Sequence, residues 1–414
     1  MRNPYMLRQR STRLGGIALI AGMTLLASAC ANTTPGSTTA AGTSVTPGAS
    51  SPDSAGPHGR VTISYPGGIS VLDSKTLEVV KKFDSEEFTR LNAAGDGRHV
   101  FVTTKAGFQL LDTVEPKLTD LRVDATAAGH VVRHAGNTVL FDDGTGTTTI
   151  LKTEDLAKAE GAIPEAQTYK ADTAHHGVSI VLEDGKLLTT LGDKTSRSGA
   201  MALESHGDHW DKVAESKECP GIHGEGTAMD EAVIFGCEDG ALLYHHGKFE
   251  KFTAPDKYGR MGNAFVSETS PIVVGDYKTD PDAEGYLLNS VALIDTEKHT
   301  FNVVKLPATV QYTFRDVARG PGDLAYILST DGSIHVLDPK DGKIVNEFPV
   351  IKAWEGPADW QDAHPAIVVN GNTAYVTEPA ANTVHSVDLT TGKVTASSKL
   401  DVVPNEIAIT LGAH

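Results

Sequence analysis

The 414-residue sequence predicts an all-β chain folded as a β-propeller of four-stranded blades, eight by count, with seven as the alternative. Three observations carry this. Short runs of Val, Ile, Leu, Tyr and Thr alternate with turn dipeptides from Arg60 onward, and helical periodicity is confined to 153–160 (TEDLAKAE). A four-strand unit recurs at the roughly 40–45-residue period of a propeller blade. The two ends of the chain are complementary, each supplying the strands that the other lacks.

The first residues read as an address. Arg8, Arg10 and Arg13 form a positive region, Leu14 to Leu26 is an apolar run too short to span a bilayer, and the run ends in Ala27-Ser28-Ala29-Cys30. Small residues before a Cys resemble the bacterial lipobox, so 1–29 is expected to be a lipoprotein signal peptide and Cys30 the lipidated mature N-terminus. An ordinary signal peptide with a chance Cys is the alternative. Residues 30–57 are almost entirely Ala, Thr, Ser, Gly and Pro, a composition that cannot bury enough apolar surface to fold and reads as a tether. The folded body, 58–414, is expected on the outer side of a membrane, attached by lipid alone.

Within the body the clearest unit is 364–400: HPAIVVN, NTAYVTEP, NTVHSVDL and GKVTASSKL, with turns at Gly371-Asn372 and Thr391-Gly392. The layout recurs at 314–350, and weaker copies start near 90, 130, 175, 223 and 262. Gly59 to Asp84 supplies strands two, three and four of a blade without a first, and Val403 to Leu411 supplies a first strand with nothing after it. Sewing these together closes the ring and removes the sheet edges.

Fifty-three acidic against 36 basic residues give a formal charge of −17, which argues against a nucleic-acid or anionic-membrane partner and suits a cation. A 40% hydrophobic content supports a large core and excludes a polytopic membrane protein. Sixteen His in so acidic a chain point to metal chemistry. In a propeller the loops entering each innermost strand share one mouth of the channel with the turns between strands two and three. That mouth is expected to receive His175, His176, His223 and His364, with Asp172, Glu225, Asp362 and Glu406 near enough in sequence to add a carboxylate. Imidazoles with one carboxylate or water suit four-coordinate Zn²⁺. Neighbouring residues on a strand face opposite ways, so only one of His175 and His176 is expected to reach the channel. The opposite mouth is expected to receive His206, Asp208 and His209 (HGDHW) together with His245 and His246, an alternative or second cluster. The other His, among them His99, His130, His134, His335 and His385, read as structural or exposed.

Cys219 and Cys237 are expected to pair in an oxidising compartment, two zinc thiolates being the alternative. Gly-x-Ser-x-Gly, His-Glu-x-x-His, phosphate-loop and dinucleotide motifs are absent. Asp280-Pro281-Asp282 reads as an acidic loop insertion as readily as a calcium ligand set.

ADTAHHGVSI at 171–180, HGDHW at 206–210, ECPGIHGEG at 218–226 and Cys237 together resemble the AztD family of extracytoplasmic zinc metallochaperones, across the body 58–414. The resemblance implies a non-enzymatic carrier that hands Zn²⁺ to the solute-binding protein of a zinc ABC transporter. The lipobox and tether depart from a freely soluble periplasmic form. Two other classes compete: a metal-dependent, lactonase-like propeller enzyme and a metal-free surface scaffold.

Overall fold

The computed structural model describes residues 59–207, 209–282 and 286–412. The expected signal segment, Cys30, the tether, Asp208 and His414 lie outside them. Among the described residues eight antiparallel sheets of four strands form the blades of a β-propeller, and the short strand Gly259–Arg260 adds one parallel pairing, Gly259 with Asp239, to one of them. The count of eight, rather than seven, is thus the observed one.

Blade 1 is the composite. Its innermost strand is the last of the chain, Ile407–Thr410, paired antiparallel to Arg60–Tyr65 with Arg60 opposite Thr410 and Ile63 opposite Ile407. The strands Gly68–Asp73 and Val79–Asp84 complete it. Innermost strands of blades 2 to 8 are Leu91–Ala93, Ala128–His134, Ser179–Val181, His223–Ala228, Ala264–Phe265, Val317–Arg319 and Ile367–Asn370. The expected helix shrinks to a single turn, Thr153–Leu156, which buries only Leu156. Among the described residues no helix is long and apolar enough to cross a membrane.

Burial follows strand position. Second strands such as Ala232–Cys237 are buried along their whole length, whereas outermost strands such as Val79–Asp84 are largely exposed. The cores lie between adjacent blades. One of them joins Val178, Ile180 and Leu188 of blade 4 to Val233, Phe235 and Leu242 of blade 5, and contains Cys219 and Cys237. Those two cysteines form a disulfide, as a chain in an oxidising compartment would.

Candidate metal centre

Three imidazoles from three successive blades converge at one mouth of the channel. His130 lies on the innermost strand of blade 3, His176 in the loop entering that of blade 4, and His223 at the start of that of blade 5. Their ring centroids are 5.1 to 5.4 Å apart. One ligand nitrogen from each lies within 4.8 Å of the other two.

Local backbone irregularity aims two of these rings. The pairing of Ala128–His134 with Asn137–Asp142 slips between Ala128 and Val131, and that of His223–Ala228 with Ala232–Cys237 slips between His223 and Glu225. A bulge re-aims the side chains beside it. Gly224 makes the second bulge feasible. Its φ is +61°, and a Cβ there would lie 2.3 Å from the Gly262 carbonyl oxygen.

That carbonyl is the acceptor for His223 Nδ1–H, at 2.6 Å. Gly262 is held in turn by the buried Asp276 carboxylate, which accepts from the backbone N–H groups of Gly262 at 2.5 Å and Asn263 at 2.9 Å. His176 Nδ1–H donates to Asp143 Oδ2 at 2.5 Å, while Asp143 Oδ1 accepts from Gly177 N–H at 3.2 Å. Both rings therefore keep Nε2 as the free lone pair, the arrangement in which an outer acceptor orients a metal-binding imidazole. Burial, opposed by the Gly262 hydrogen bond, lowers the pKa of His223 to about 3. Burial and the neighbouring His223 and His176 rings hold His130 well below the ordinary imidazole value. Neither ring need shed a proton to bind a cation at neutral or mildly acidic pH. Close by, burial drives Glu225 up to about 7 against the pull of Arg133.

The three rings line a cavity of 820 Å³. Its far wall carries Phe314 and Trp360, with the Arg90 guanidinium 5.9 and 5.7 Å from their ring centroids. Zinc or another borderline cation held by the imidazoles would therefore face an open, solvent-accessible space.

The other expected residues are placed differently. His175 and His176 do diverge, but His175 turns inward. It is 3% exposed, packs edge-on against Phe141, and uses both nitrogens on Thr173 O (2.9 Å) and Thr190 Oγ1 (3.0 Å). His364 is buried beside Phe314, its Nδ1–H on Asp362 O at 2.7 Å, and does not join the three-ring group. Burial first, then Arg315, lowers it to about 4. Of the carboxylates expected nearby, Glu406 is paired with Arg315 at 2.8 Å. Asp143, in the turn after Asn137–Asp142, is the one that reaches a ligand. At the opposite mouth His206 and His209 each lie 3.7 Å from Asp211, whereas His245 and His246 gather on Asp230. His130, expected to be structural or exposed, is instead a member of this group; the signal that could have found it is the repeat, since His130, His176 and His223 stand one blade apart along the chain.

No protein-family model matches the chain. It is 25% identical over 316 residues to the zinc chaperone AztD of Citrobacter koseri, a similarity spanning 73% of this chain and 70% of that protein. Two solved structures of the same AztD, one of them apo, match at TM-score 0.69 and 20% identity, covering 85% of this chain and 97% of theirs. The dihydro-heme d1 dehydrogenase NirN shares the fold at TM-score 0.59 and 11% identity over 86% of this chain and 76% of its own. The resemblance to AztD expected from the His-bearing segments thus extends over most of the chain.

Proposed function

We propose that this chain is an extracytoplasmic zinc chaperone that carries Zn²⁺ at His130, His176 and His223 and releases it to the solute-binding protein of a zinc ABC transporter. The observation that carries the reading is the convergence of three imidazoles from three blades, two of them already oriented through Nδ1 with Nε2 left free. Similarity to the zinc chaperone AztD supports zinc as the cargo. Three protein ligands leave the fourth position of a tetrahedral ion to water or to an incoming group. An acceptor docked over the 820 Å³ cavity can supply its own ligands there one at a time, so the ion passes between proteins without entering solution. The role is that of a carrier without turnover, placed outside the cytoplasm by the signal segment and held to the membrane by Cys30.

Zinc titration of the purified protein tests the site. His176→Ala and His223→Ala are each expected to remove the equivalent of tightly bound Zn²⁺ assigned to the three imidazoles, and unchanged isotherms in both would refute the assignment. Transfer is tested by mixing the zinc-loaded protein with the solute-binding protein and a chelator in excess. Direct hand-over proceeds despite the chelator, whereas release into solution is intercepted by it. A lactone panel with and without Zn²⁺ should show no turnover.

A further inference from the structure

The cavity in front of the three imidazoles is cationic in a chain whose formal charge is −17. Its wall carries Arg90, Arg260 and Lys278 against two carboxylates, Asp143 and Asp276. Both carboxylates are committed to the protein. Asp143 accepts from His176 Nδ1–H and Gly177 N–H, and Asp276 accepts from Asn263 Nδ2–H at 2.7 Å besides the backbone N–H of Gly262. Arg90 and Arg260 act directly on the ligand rings. After burial and the other two rings, Arg90 is among the charges that keep His130 neutral. Arg260 does the same for His223, after burial and His176 and against the Gly262 hydrogen bond. Arg90 meets Glu406 at 3.4 Å, whereas that carboxylate pairs with Arg315 at 2.8 Å. Arg260 Nη1 donates to Gly221 O at 3.2 Å and lies 4.0 Å from Glu238. Among the described residues neither guanidinium meets a carboxylate in the bidentate fork that would neutralise it.

A zinc ion arriving here meets no ligand that offsets its charge. Neutral imidazoles leave the full dipositive charge on the ion, and the guanidiniums beside it add to that field. Charge confined between protein walls is costly unless it is paired, and the fourth position of the tetrahedron is open. A carboxylate answers both needs. One of its oxygens is an ordinary zinc ligand, and the other can accept from a guanidinium. The rest of the wall says what the remainder of the anion is. Tyr258, Leu287, Phe314 and Trp360 line the same space, and the faces of Phe314 and Trp360 hold the Arg90 guanidinium in place. At 820 Å³ the cavity has the size of a small-molecule site, roughly 300–1,000 Å³. A hydroxide ion would leave that apolar wall uncovered.

We infer that the three-imidazole site takes its ion together with a small organic carboxylate that has an apolar body, the carboxylate being shared between the ion and the guanidiniums of Arg90 and Arg260. The inference rests on the three-imidazole reading and deepens it. Ion and anion then strengthen one another, and linkage requires the same factor in both directions. The anion also serves release. Displacing a small carboxylate gives an acceptor its first coordination position without breaking any bond to an imidazole.

The test is Zn²⁺ titration of the full chain in perchlorate buffer, with and without benzoate or acetate, followed in parallel by the visible absorption of bound Co²⁺. Benzoate should raise zinc affinity at least about tenfold and change the Co²⁺ spectrum, and zinc should raise benzoate affinity by the same factor. Acetate, which keeps the carboxylate without the apolar body, should have the smaller effect. Arg90→Gln with Arg260→Gln should raise zinc affinity in perchlorate, since two like charges leave the ion's surroundings, and should remove most of the benzoate effect. A folding defect would lower both, so the opposite signs identify the guanidiniums as anion contacts. Isotherms and Co²⁺ spectra that are the same in perchlorate and benzoate overturn the inference. Equal enhancement by acetate and benzoate, or enhancement that survives both Arg changes, also overturns it. The reading beneath it fails differently. If the His176→Ala/His223→Ala protein keeps every zinc equivalent, the three-imidazole site is refuted and the anion's place on it goes too. Loss of one equivalent there, with no benzoate effect in wild type, refutes the anion alone.

Discussion

At the level of single residues, role is decided by what the second ring nitrogen of each His touches. His175 spends both nitrogens on Thr173 and Thr190 and is a packed strut, so His175→Ala should leave zinc affinity unchanged while lowering the melting temperature. His176 spends only Nδ1, on Asp143. Asp143→Asn is expected to lower zinc affinity by roughly 10–100-fold with little effect on stability, because it removes the acceptor that orients the ligand. An isotherm indistinguishable from wild type would show that the Asp143 contact is incidental. A different buried acid sets a pH dependence. Asp316 is fully buried, and burial raises its pKa from 3.8 to about 8 against hydrogen bonds from Thr313. Between those values the unfolded chain gives up this proton and the folded chain keeps it, so ionisation favours unfolding as pH rises. Stability attributable to Asp316 is complete below about pH 4 and falls by up to about 1.4 kcal/mol per pH unit toward pH 8. Denaturation of Asp316→Asn beside wild type from pH 5 to 8 checks this. The gap should shift steadily in the variant's favour, and a constant gap would count against it.

At the level of elements, bulges and a disulfide turn ordinary blade strands into ligand carriers. Gly224→Ala would meet the Gly262 carbonyl and a left-handed backbone at once, so the bulge that presents His223 must move. Zinc affinity should fall more than tenfold while far-ultraviolet circular dichroism stays that of a propeller. The Cys219–Cys237 link ties the loop entering the same strand to the end of the strand beside it, closing a sequence separation of 18 residues. Loop entropy assigns such a closure about 3 kcal/mol. Cys219→Ser with Cys237→Ser should lose stability of that order in urea, and a loss near zero would mean that the inter-blade core alone holds the loop.

At the level of the whole molecule, closure depends on one short strand. Ile407–Thr410 covers the edge of Arg60–Tyr65 and buries Ile407 and Ala408 against neighbouring blades. Removing 403–414 would expose a strand edge carrying Val61 and Ile63. The truncated chain should aggregate on size-exclusion chromatography and lose its cooperative melt. A monomer with a wild-type melt would place the closing energy elsewhere. The ring also decides which residues meet. His130 and His223 are far apart along the chain and 5.4 Å apart between ring centroids, because three blades bring their innermost strands to one axis.

How much was legible divides along the same physical line. Strand alternation, turn dipeptides and the complementary ends determined a closed ring of four-stranded blades and favoured eight over seven, because these signals are local or repeat at a fixed period; the structure settled the count. The same period sorted the His residues between the two mouths and placed Cys219 near Cys237. Spacing alone could not tell which rings converge. His130 joins His176 and His223 because a bulge turns it, while His175 and His364 are drawn into the packing by nearby backbone carbonyls. Which side chain faces the channel depends on a slip of one residue in strand pairing, and only the tertiary structure decides that, since the slip is set by close contacts such as Gly224 against Gly262 from another blade.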